Sequence, residues 1–307
     1  MKKHISLAVI FVFLLMCLCV FSACDSDYDY DVVCSIFPQY DFCKEIAGNE
    51  VKIKMLLPEG TDAHNYELTT KDSFAVKNSK LFIYIGGESE KWANDLINSS
   101  DMSKVKLLKL SDKVEKIFNE DNESHDGHDH HEYFDEHIWL SINNAITICR
   151  NIEAALSEIF PEKKSIFEEN LRVYISKLAE LDIHYKNMID ESTYKKIFFA
   201  DRFPFIYLAM EYGLSYDSLL NGCSTDTAIS VSDKLEFEKR YKDDGAKGVF
   251  VLENSDRKLA NSVIERCGGK IFTLHSLQIL SKEEISKGAS YLTIMQKNLS
   301  VLQEALK

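Results

Sequence analysis

The sequence lacks the patterns that would assign it to several common classes. None of its eight cysteines belongs to a Cys-x-x-Cys pair, which argues against a zinc site made of thiolates. It contains no His-Glu-x-x-His segment and marks out no general base, so a zinc hydrolase is not indicated. Positive charge is scarce, with 36 Lys and Arg against 49 Asp and Glu. Such an acidic chain is not expected to bind nucleic acid or anionic lipid, but it is compatible with cations.

The N-terminal segment has the features of an export signal. Two lysines precede an apolar run from Ile5 to Phe21, which ends in small residues. This order is typical of a secretory signal rather than a membrane anchor, and we predict a signal peptide over residues 1–23. The Val-Phe-Ser-Ala-Cys sequence that ends at Cys24 resembles the lipobox of bacterial lipoproteins. That resemblance implies a lipid on Cys24, an acidic tether over residues 24–30, and a location on the outer face of the cell membrane.

Histidine is concentrated in one stretch, because more than half of the nine histidines lie between residues 125 and 137. A neutral imidazole nitrogen is a common ligand for zinc-like ions. Four of these histidines belong to a polar loop over residues 121–132 that has no apolar anchor: His125, His128, His130 and His131. We expect this loop to be mobile, and either to bind metal weakly and raise its local concentration or to be a solvated insertion without a role.

His137 differs from the loop histidines because it directly precedes an apolar run, Ile138-Trp139-Leu140. That run must dock into a core and would hold the imidazole in a fixed place. Two further histidines are candidate ligands. His64 lies in a loop punctuated by Pro58 and Gly60, and His275 comes directly after a predicted strand. The carboxyl ends of strands are where open α/β sheets bind ligands.

Strand-like and helical segments alternate on both sides of one long helix. Apolar residues recur at steps of 4 and 3 from Phe167 to Met188, which predicts a helix over residues 165–191. A two-stranded coiled coil is the alternative interpretation of this stripe. Short β-like runs precede and follow it, at residues 31–37, 51–57, 81–85, 105–110, 196–200, 248–252 and 271–274. The pattern predicts an α/β protein with an N-terminal lobe (31–164) and a C-terminal lobe (192–307), joined by this rigid linker helix.

Two motifs carry a resemblance to a known family. The sequence PEGTDAHNYE, from Pro58 to Glu67, is similar to the first-ligand loop of the cluster A-I substrate-binding proteins of bacterial ABC metal importers. The sequence DEHIWLS, from Asp135 to Ser141, is similar to their second. Ala63 and Glu136 replace the prolines that are usual in these motifs. The resemblance implies two lobes, each a mostly parallel sheet flanked by helices, with a metal site in the cleft between them.

The same resemblance suggests the remaining ligand positions. Counting back from Tyr212, Arg202 occupies the family's third position, yet a guanidinium has no free lone pair for zinc. Asp201 is the neighbouring substitute, and His275 aligns with the fourth position. Three imidazoles favour zinc over manganese. The remaining coordination position of the metal would be filled by water or by one of several carboxylates: Asp201, Glu59, Glu67 or Glu253.

The implied function is that of a monomeric, lipid-anchored receptor. It would capture Zn²⁺ in the cleft, move little on release because the linker is a helix, and deliver the ion to an ABC permease. The alternatives are a manganese receptor of the same family and, from a different class, a surface lipoprotein that buffers zinc or acts as an adhesin.

The cysteines give a weaker indication. Five remain after the signal peptide and the lipid-anchored residue: Cys34, Cys43, Cys149, Cys223 and Cys267. A disulfide between Cys223 and Cys267 is one expectation for a protein outside the membrane. The other is that these cysteines are small, buried apolar residues.

Overall fold

The structure is a computed structural model that describes residues 30–118, 134–220 and 229–307. Several predicted features lie outside the described residues: the signal peptide 1–23, Cys24 and the tether up to residue 29, the His-rich loop 121–132 with its four histidines, and Cys223. In the part of the chain that is described, no helix is both long and apolar enough to cross a membrane.

The N-terminal lobe is built on a parallel sheet of four strands. These are β1 (Val32–Cys34), β2 (Ile53–Met55), β3 (Leu81–Tyr84) and β4 (Lys106–Lys109), in the order β2-β1-β3-β4. The two central strands, β1 and β3, are completely buried, which is why they are continuous apolar runs. The lobe's helices are α1 (Phe37–Ala47), α2 (Thr70–Asn78), α3 (Lys91–Ser99) and α4 (Ile142–Ile159).

The C-terminal lobe repeats this topology. Its strands are β5 (Lys196–Arg202), β6 (Ser215–Leu220), β7 (Gly248–Leu252) and β8 (Lys270–Leu274), all parallel and in the order β6-β5-β7-β8. Its helices are α6 (Ile206–Tyr212), α7 (Val231–Asp243), α8 (Lys258–Cys267), α9 (Lys282–Ser286) and α10 (Tyr291–Ala305). In each sheet the second strand pairs with one side of the first strand, and the third strand pairs with its other side. A crevice therefore opens at the carboxyl ends of β1 and β3 in the N-terminal sheet, and of β5 and β7 in the C-terminal sheet.

The predicted long helix is present as α5 (Lys164–Glu191), which begins one residue earlier than expected. At about 1.5 Å per residue its 28 residues extend over roughly 40 Å. Asn170 Nδ2 donates to Ile46 O on α1 at 2.9 Å, and Tyr185 Oη donates to Met295 O on α10 at 2.8 Å. The apolar stripe of α5 is therefore covered by both lobes, and the predicted two-lobe α/β fold is confirmed.

Three of the elements given above were not predicted, namely β6, α7 and the five-residue helix α9, and all three are polar. β6 is an edge strand whose only partner in the described sheet is β5, and most of its side chains are partly exposed. It therefore needs no apolar run. α7 buries only Phe237, Glu238 and Tyr241, so its apolar stripe is too short to stand out among charged residues.

The lobes also meet directly through buried hydrogen bonds. Trp139 Nε1, from the N-terminal lobe, donates to Ser276 O at 2.9 Å. Tyr291, the first residue of α10, donates through Oη to Trp139 O at 2.8 Å, and its backbone N–H donates to Asp41 Oδ2 at 2.8 Å. One continuous apolar core underlies these contacts. The position of one lobe against the other is thus fixed by packing as well as by α5.

The expected Cys223–Cys267 disulfide is wrong for this structure, because Cys267 is a free thiol. Its Sγ lies 3.9 Å from Glu238 O on α7, with which it makes a weak hydrogen bond. Cys34, Cys43 and Cys149 are free and buried, as the alternative interpretation expected.

The buried contact of Asp41 with α10 leads to a prediction about stability. Burial raises the pKa of Asp41 to about 7, so between pH 4 and 7 the folded chain holds a proton that the unfolded chain has lost. The free energy of unfolding should therefore fall as pH rises through this range. Asp41→Asn keeps an acceptor for Tyr291 but cannot ionise. It should flatten this dependence and be ~1–3 kcal/mol more stable than the wild type at pH 8.

Urea unfolding at pH 5 and pH 8 measures this effect, with the exposed Asp95→Asn as the matched control. If the wild type and Asp41→Asn lost the same stability between the two pH values, the buried carboxyl would not be the titrating group.

Candidate metal centre

His137 is held rigidly at the junction of the lobes. Its ring is only 1% exposed, and Nδ1 lies 2.9 Å from Asp135 Oδ1, which also accepts the His137 backbone N–H at 2.9 Å. The following residues, Ile138–Leu140, form a fully buried 3₁₀ turn, as the sequence predicted. Because Asp135 accepts from Nδ1, the lone pair available for a metal is on Nε2, the arrangement typical of ligating histidines.

His64 lies in a short 3₁₀ turn, Ala63–Asn65, that follows β2. Asp62 caps this turn, since its Oδ1 accepts the His64 backbone N–H at 3.0 Å. Downstream, Tyr66 Oη donates to Asp72 Oδ2 at 2.8 Å, and the Tyr66 ring packs edge-on against Trp92. The half-buried imidazole is therefore carried by a loop with an anchor in its own lobe.

The structure brings His64 and His137 close enough for their charges to interact. Burial, the charge of His137 and the charge of Arg202 lower the pKa of His64, and nearby carboxylates offset only part of this. Burial also lowers the pKa of His137, but the charge and hydrogen bond of Asp135 outweigh it, so the net pKa is raised. His64 is thus poised in the neutral, metal-binding form, while His137 is favoured to carry a proton until a competing cation displaces it.

Carboxylates surround this pair at the carboxyl end of β3. Glu136 accepts from the backbone N–H of Ser89 at 2.7 Å and from its hydroxyl. A Cβ on Gly87 would lie 2.3 Å from Glu136 Cγ. The Glu136 side chain can therefore pack this close to the backbone only because residue 87 is glycine. Behind it, the buried Glu90 accepts from Ile85 N and Gly86 N, and burial raises its pKa to about 7.

Arg202 and Asp201 lie at the end of β5, where the pairing with β6 shifts register. Arg202 Nη2 is 3.2 Å from Asp62 Oδ2, across the cleft. Asp201 Oδ1 accepts the backbone N–H of Arg202 at 2.8 Å. The residue that the resemblance aligns with the third ligand position is therefore a guanidinium paired with the cap of the His64 turn, and Asp201 is partly engaged with its own backbone.

His275 follows β8 as predicted, but its contacts are with its own lobe. Nδ1 accepts the Leu277 N–H at 2.9 Å, and Nε2 is 3.3 Å from Glu284 Oε1. Glu253, another candidate, lies 3.6 Å from Nδ1 and accepts from Ser276. Across residues 30–118, 134–220 and 229–307, no hydrogen bond, ion pair or ring contact joins His275 to either of the other histidines. The carboxylates of Glu59 and Glu67 are on exposed residues.

One residue at the site was missed from the sequence. Gln278, only 7% exposed, lies close enough to His137 for its side chain to help raise the pKa of that imidazole. The Gln278 amide is therefore a further candidate donor beside this imidazole. Its place three residues after His275, in the loop that follows β8, was the available signal, but an amide is a less conspicuous ligand than an imidazole.

These residues can offer a cation two imidazole nitrogens, an amide oxygen and nearby carboxylates. In the described ranges, no group of three or more His, Cys, Asp or Glu side chains is gathered closely enough to hold a metal ion. The donors fit a borderline divalent ion in type.

Comparison with known proteins gives a consistent result. The family model described as zinc-uptake complex component A, periplasmic (ZnuA) matches residues 32–305. The zinc-binding protein AdcA of Streptococcus pyogenes is 32% identical over 285 residues, which cover 89% of this chain and 55% of AdcA. The chain thus spans about half the length of the AdcA relatives it matches. The high-affinity zinc uptake system protein ZnuA of Bacillus subtilis is 32% identical over 279 residues, 90% of this chain and 87% of that protein.

A solved structure shows the same architecture. The Zn(II)-bound ZnuA-like domain of Streptococcus pneumoniae AdcA has a TM-score of 0.76 to this chain at 29% sequence identity. The match covers 91% of this chain and 99% of that domain. The arrangement of two four-stranded sheets is therefore shared along essentially the whole described chain.

The electrostatic coupling of the two histidines can be tested without metal. We expect NMR titration to place the pKa of His137 above its ordinary value of 6.5 and that of His64 below it. His137→Ala removes one of the positive charges that oppose protonation of His64, so the pKa of His64 should rise. The same substitution at the exposed His184 on α5 is the matched control. An unchanged His64 titration in His137→Ala would mean that the two rings are not neighbours in solution.

Proposed function

Because the chain belongs to the family of periplasmic ZnuA-type components of zinc-uptake complexes, we propose that it captures Zn²⁺ between its two lobes and delivers it to an ABC-type membrane importer. The family comprises transport receptors rather than enzymes. Zn²⁺ is accordingly a cargo, which must be bound tightly and then released.

The observation that carries this proposal is the presentation of His137. Its ring is buried and its Nδ1 is fixed by Asp135 at 2.9 Å, so Nε2 is the nitrogen left to bind a metal. A carboxylate on the second nitrogen orients a ligating imidazole and makes it a better donor. With His64 beside it, the cleft supplies two nitrogen ligands from different loops.

The rest of the coordination shell is also a proposal. His275 and Asp201 remain candidates, but His275 would have to exchange its contact with Glu284 for the metal, and Asp201 would have to turn its second oxygen inward. Gln278 lies close enough to His137 to affect its pKa, so its amide oxygen is a third candidate. Nitrogen ligands support zinc as the preferred cargo, whereas manganese, the alternative, favours sites made mainly of oxygen donors.

We further propose an extracytoplasmic location, with the chain anchored as a monomer through a lipid on Cys24. The lipobox-like sequence at residues 20–24 supports the anchor, and two acyl chains would suffice for stable attachment. The histidines of the loop at residues 121–132 would act as a weak collector of metal next to the cleft.

The proposed ligands predict the outcome of competitive zinc titration on the soluble chain from Asp25 onward. His64→Ala and His137→Ala should each weaken binding by at least roughly 100-fold, because each removes a direct nitrogen ligand from the ion. His184→Ala, on the exposed face of α5, is the control and should bind as the wild type does.

The same titration separates the candidates for the next position. A strong loss in His275→Ala with little change in Gln278→Ala would assign the third place to the imidazole. The reverse would assign it to the amide. Wild-type affinity in both His64→Ala and His137→Ala would refute the cleft site.

Deletion of residues 121–132 tests the auxiliary loop. We expect the tight site to keep its affinity within about threefold, because its donors all lie outside the loop, while the weaker binding of additional zinc ions disappears. Calorimetric titration resolves the two classes of site. If the deletion abolished all zinc binding, the chain would be better described as a surface lipoprotein that buffers zinc.

A further inference from the structure

The carboxylate of Asp62 links two parts of the cleft through its two oxygens. Oδ1 accepts the His64 N–H at 3.0 Å and so caps the turn that carries this imidazole. Oδ2 is 3.2 Å from Arg202 Nη2, a contact between residues 140 positions apart. One side chain thus connects the His64 turn of the N-terminal lobe to the end of β5 in the C-terminal lobe.

A second contact ties the same loop to the opposite lobe. The Gly60 N–H donates to Leu280 O at 2.8 Å. Gly60 has a positive φ of 74°, a conformation that costs glycine little. The loop over residues 58–66 is therefore attached to the C-terminal lobe at two points, while Tyr66 anchors its end to the N-terminal lobe.

The position of Arg202 is set by its own strand. The register shift between Phe199 and Arg202 at the end of β5 re-aims the chain. The backbone of Arg202 is then held by Asp201, and the next residue, Phe203, stacks on Tyr216 with 4.0 Å between ring centroids. These contacts thus fix the backbone from which the Arg202 side chain extends.

The ion pair lies in a poorly hydrated place, since both side chains are only 14% exposed. Solvent and salt screen such a pair less than an exposed one, and removing one partner leaves the other with an uncompensated charge. Opening the cleft must separate these charges, so the pair resists opening more than a surface ion pair would.

We propose that Arg202 and Asp62 form a clasp between the lobes, in which Arg202 is a positioning residue that holds the His64 turn against the C-terminal lobe and slows the release of the bound ion. Arg202 therefore has a use that does not require it to ligate metal. The effect on ion release rests on the proposed zinc-receptor function, whereas the effect on the His64 turn does not.

The metal-dependent test is the rate at which zinc passes to an excess of a chelator in stopped-flow measurements. Arg202→Gln and Asp62→Asn should each accelerate release about tenfold. The double variant should be no faster than the faster single variant, because each change already breaks the contact between Arg202 and Asp62. Arg202→Lys should recover only part of the slow release, since it keeps the charge but loses the planar fork.

The metal-free test is hydrogen exchange at the His64 amide, which donates to Asp62. We expect Arg202→Gln to speed this exchange at least about tenfold, while the amides of the central strands β1 and β3 keep their protection. Arg240→Gln is the matched control, because Arg240 pairs with Asp217 at 2.7 Å and 3.0 Å in the same lobe. It should change neither the exchange nor the release.

The two tests fail in distinguishable ways. If the wild type binds no zinc tightly, the proposed function is wrong, and the exchange experiment still decides the clasp. Unchanged exchange at His64 in Arg202→Gln would overturn the clasp, as would additive effects of the two single substitutions on zinc release.

Discussion

The burial of Trp139 between the lobes is the constraint on which the rest of this structure depends. Its indole donates to Ser276 of the C-terminal lobe, and its backbone carbonyl accepts from Tyr291. An indole N–H buried without a partner would be costly, so the two lobes must meet at this point. Because His137 is only two residues away, the same burial fixes a candidate ligand in the cleft.

The topology of the sheets places the other groups around this point. Both sheets have the same strand order, and both open a crevice at the carboxyl ends of their central strands. The N-terminal sheet contributes Glu90 and the loop of His64, and the C-terminal sheet contributes Arg202 and the loop of Gln278. The linker helix α5 contacts both lobes and so joins the two sheets.

The charges in the cleft indicate a balance between capture and release. Carboxylates such as Glu136 raise the affinity of the region for cations, whereas the guanidinium of Arg202 opposes them. Asp62 neutralises this guanidinium and couples it to the His64 turn. A receptor that must hand its ion to a partner benefits from a contact that holds the cleft closed yet can be broken at a moderate cost.

The sequence by itself determined the class of the fold, because buried helices and strands have local apolar patterns. The stripe on α5 and the apolar runs of β3 and β7 could be recognised without knowing which residues pack against them. It also determined that His137 is fixed, since an apolar run follows it. Only the tertiary structure decided which groups meet. The closeness of Gln278 to His137, the turn of His275 toward Glu284 and the pairing of Arg202 with Asp62 all join distant residues or depend on ring orientation. No local pattern encodes them, because they follow from how the two sheets pack across one buried tryptophan.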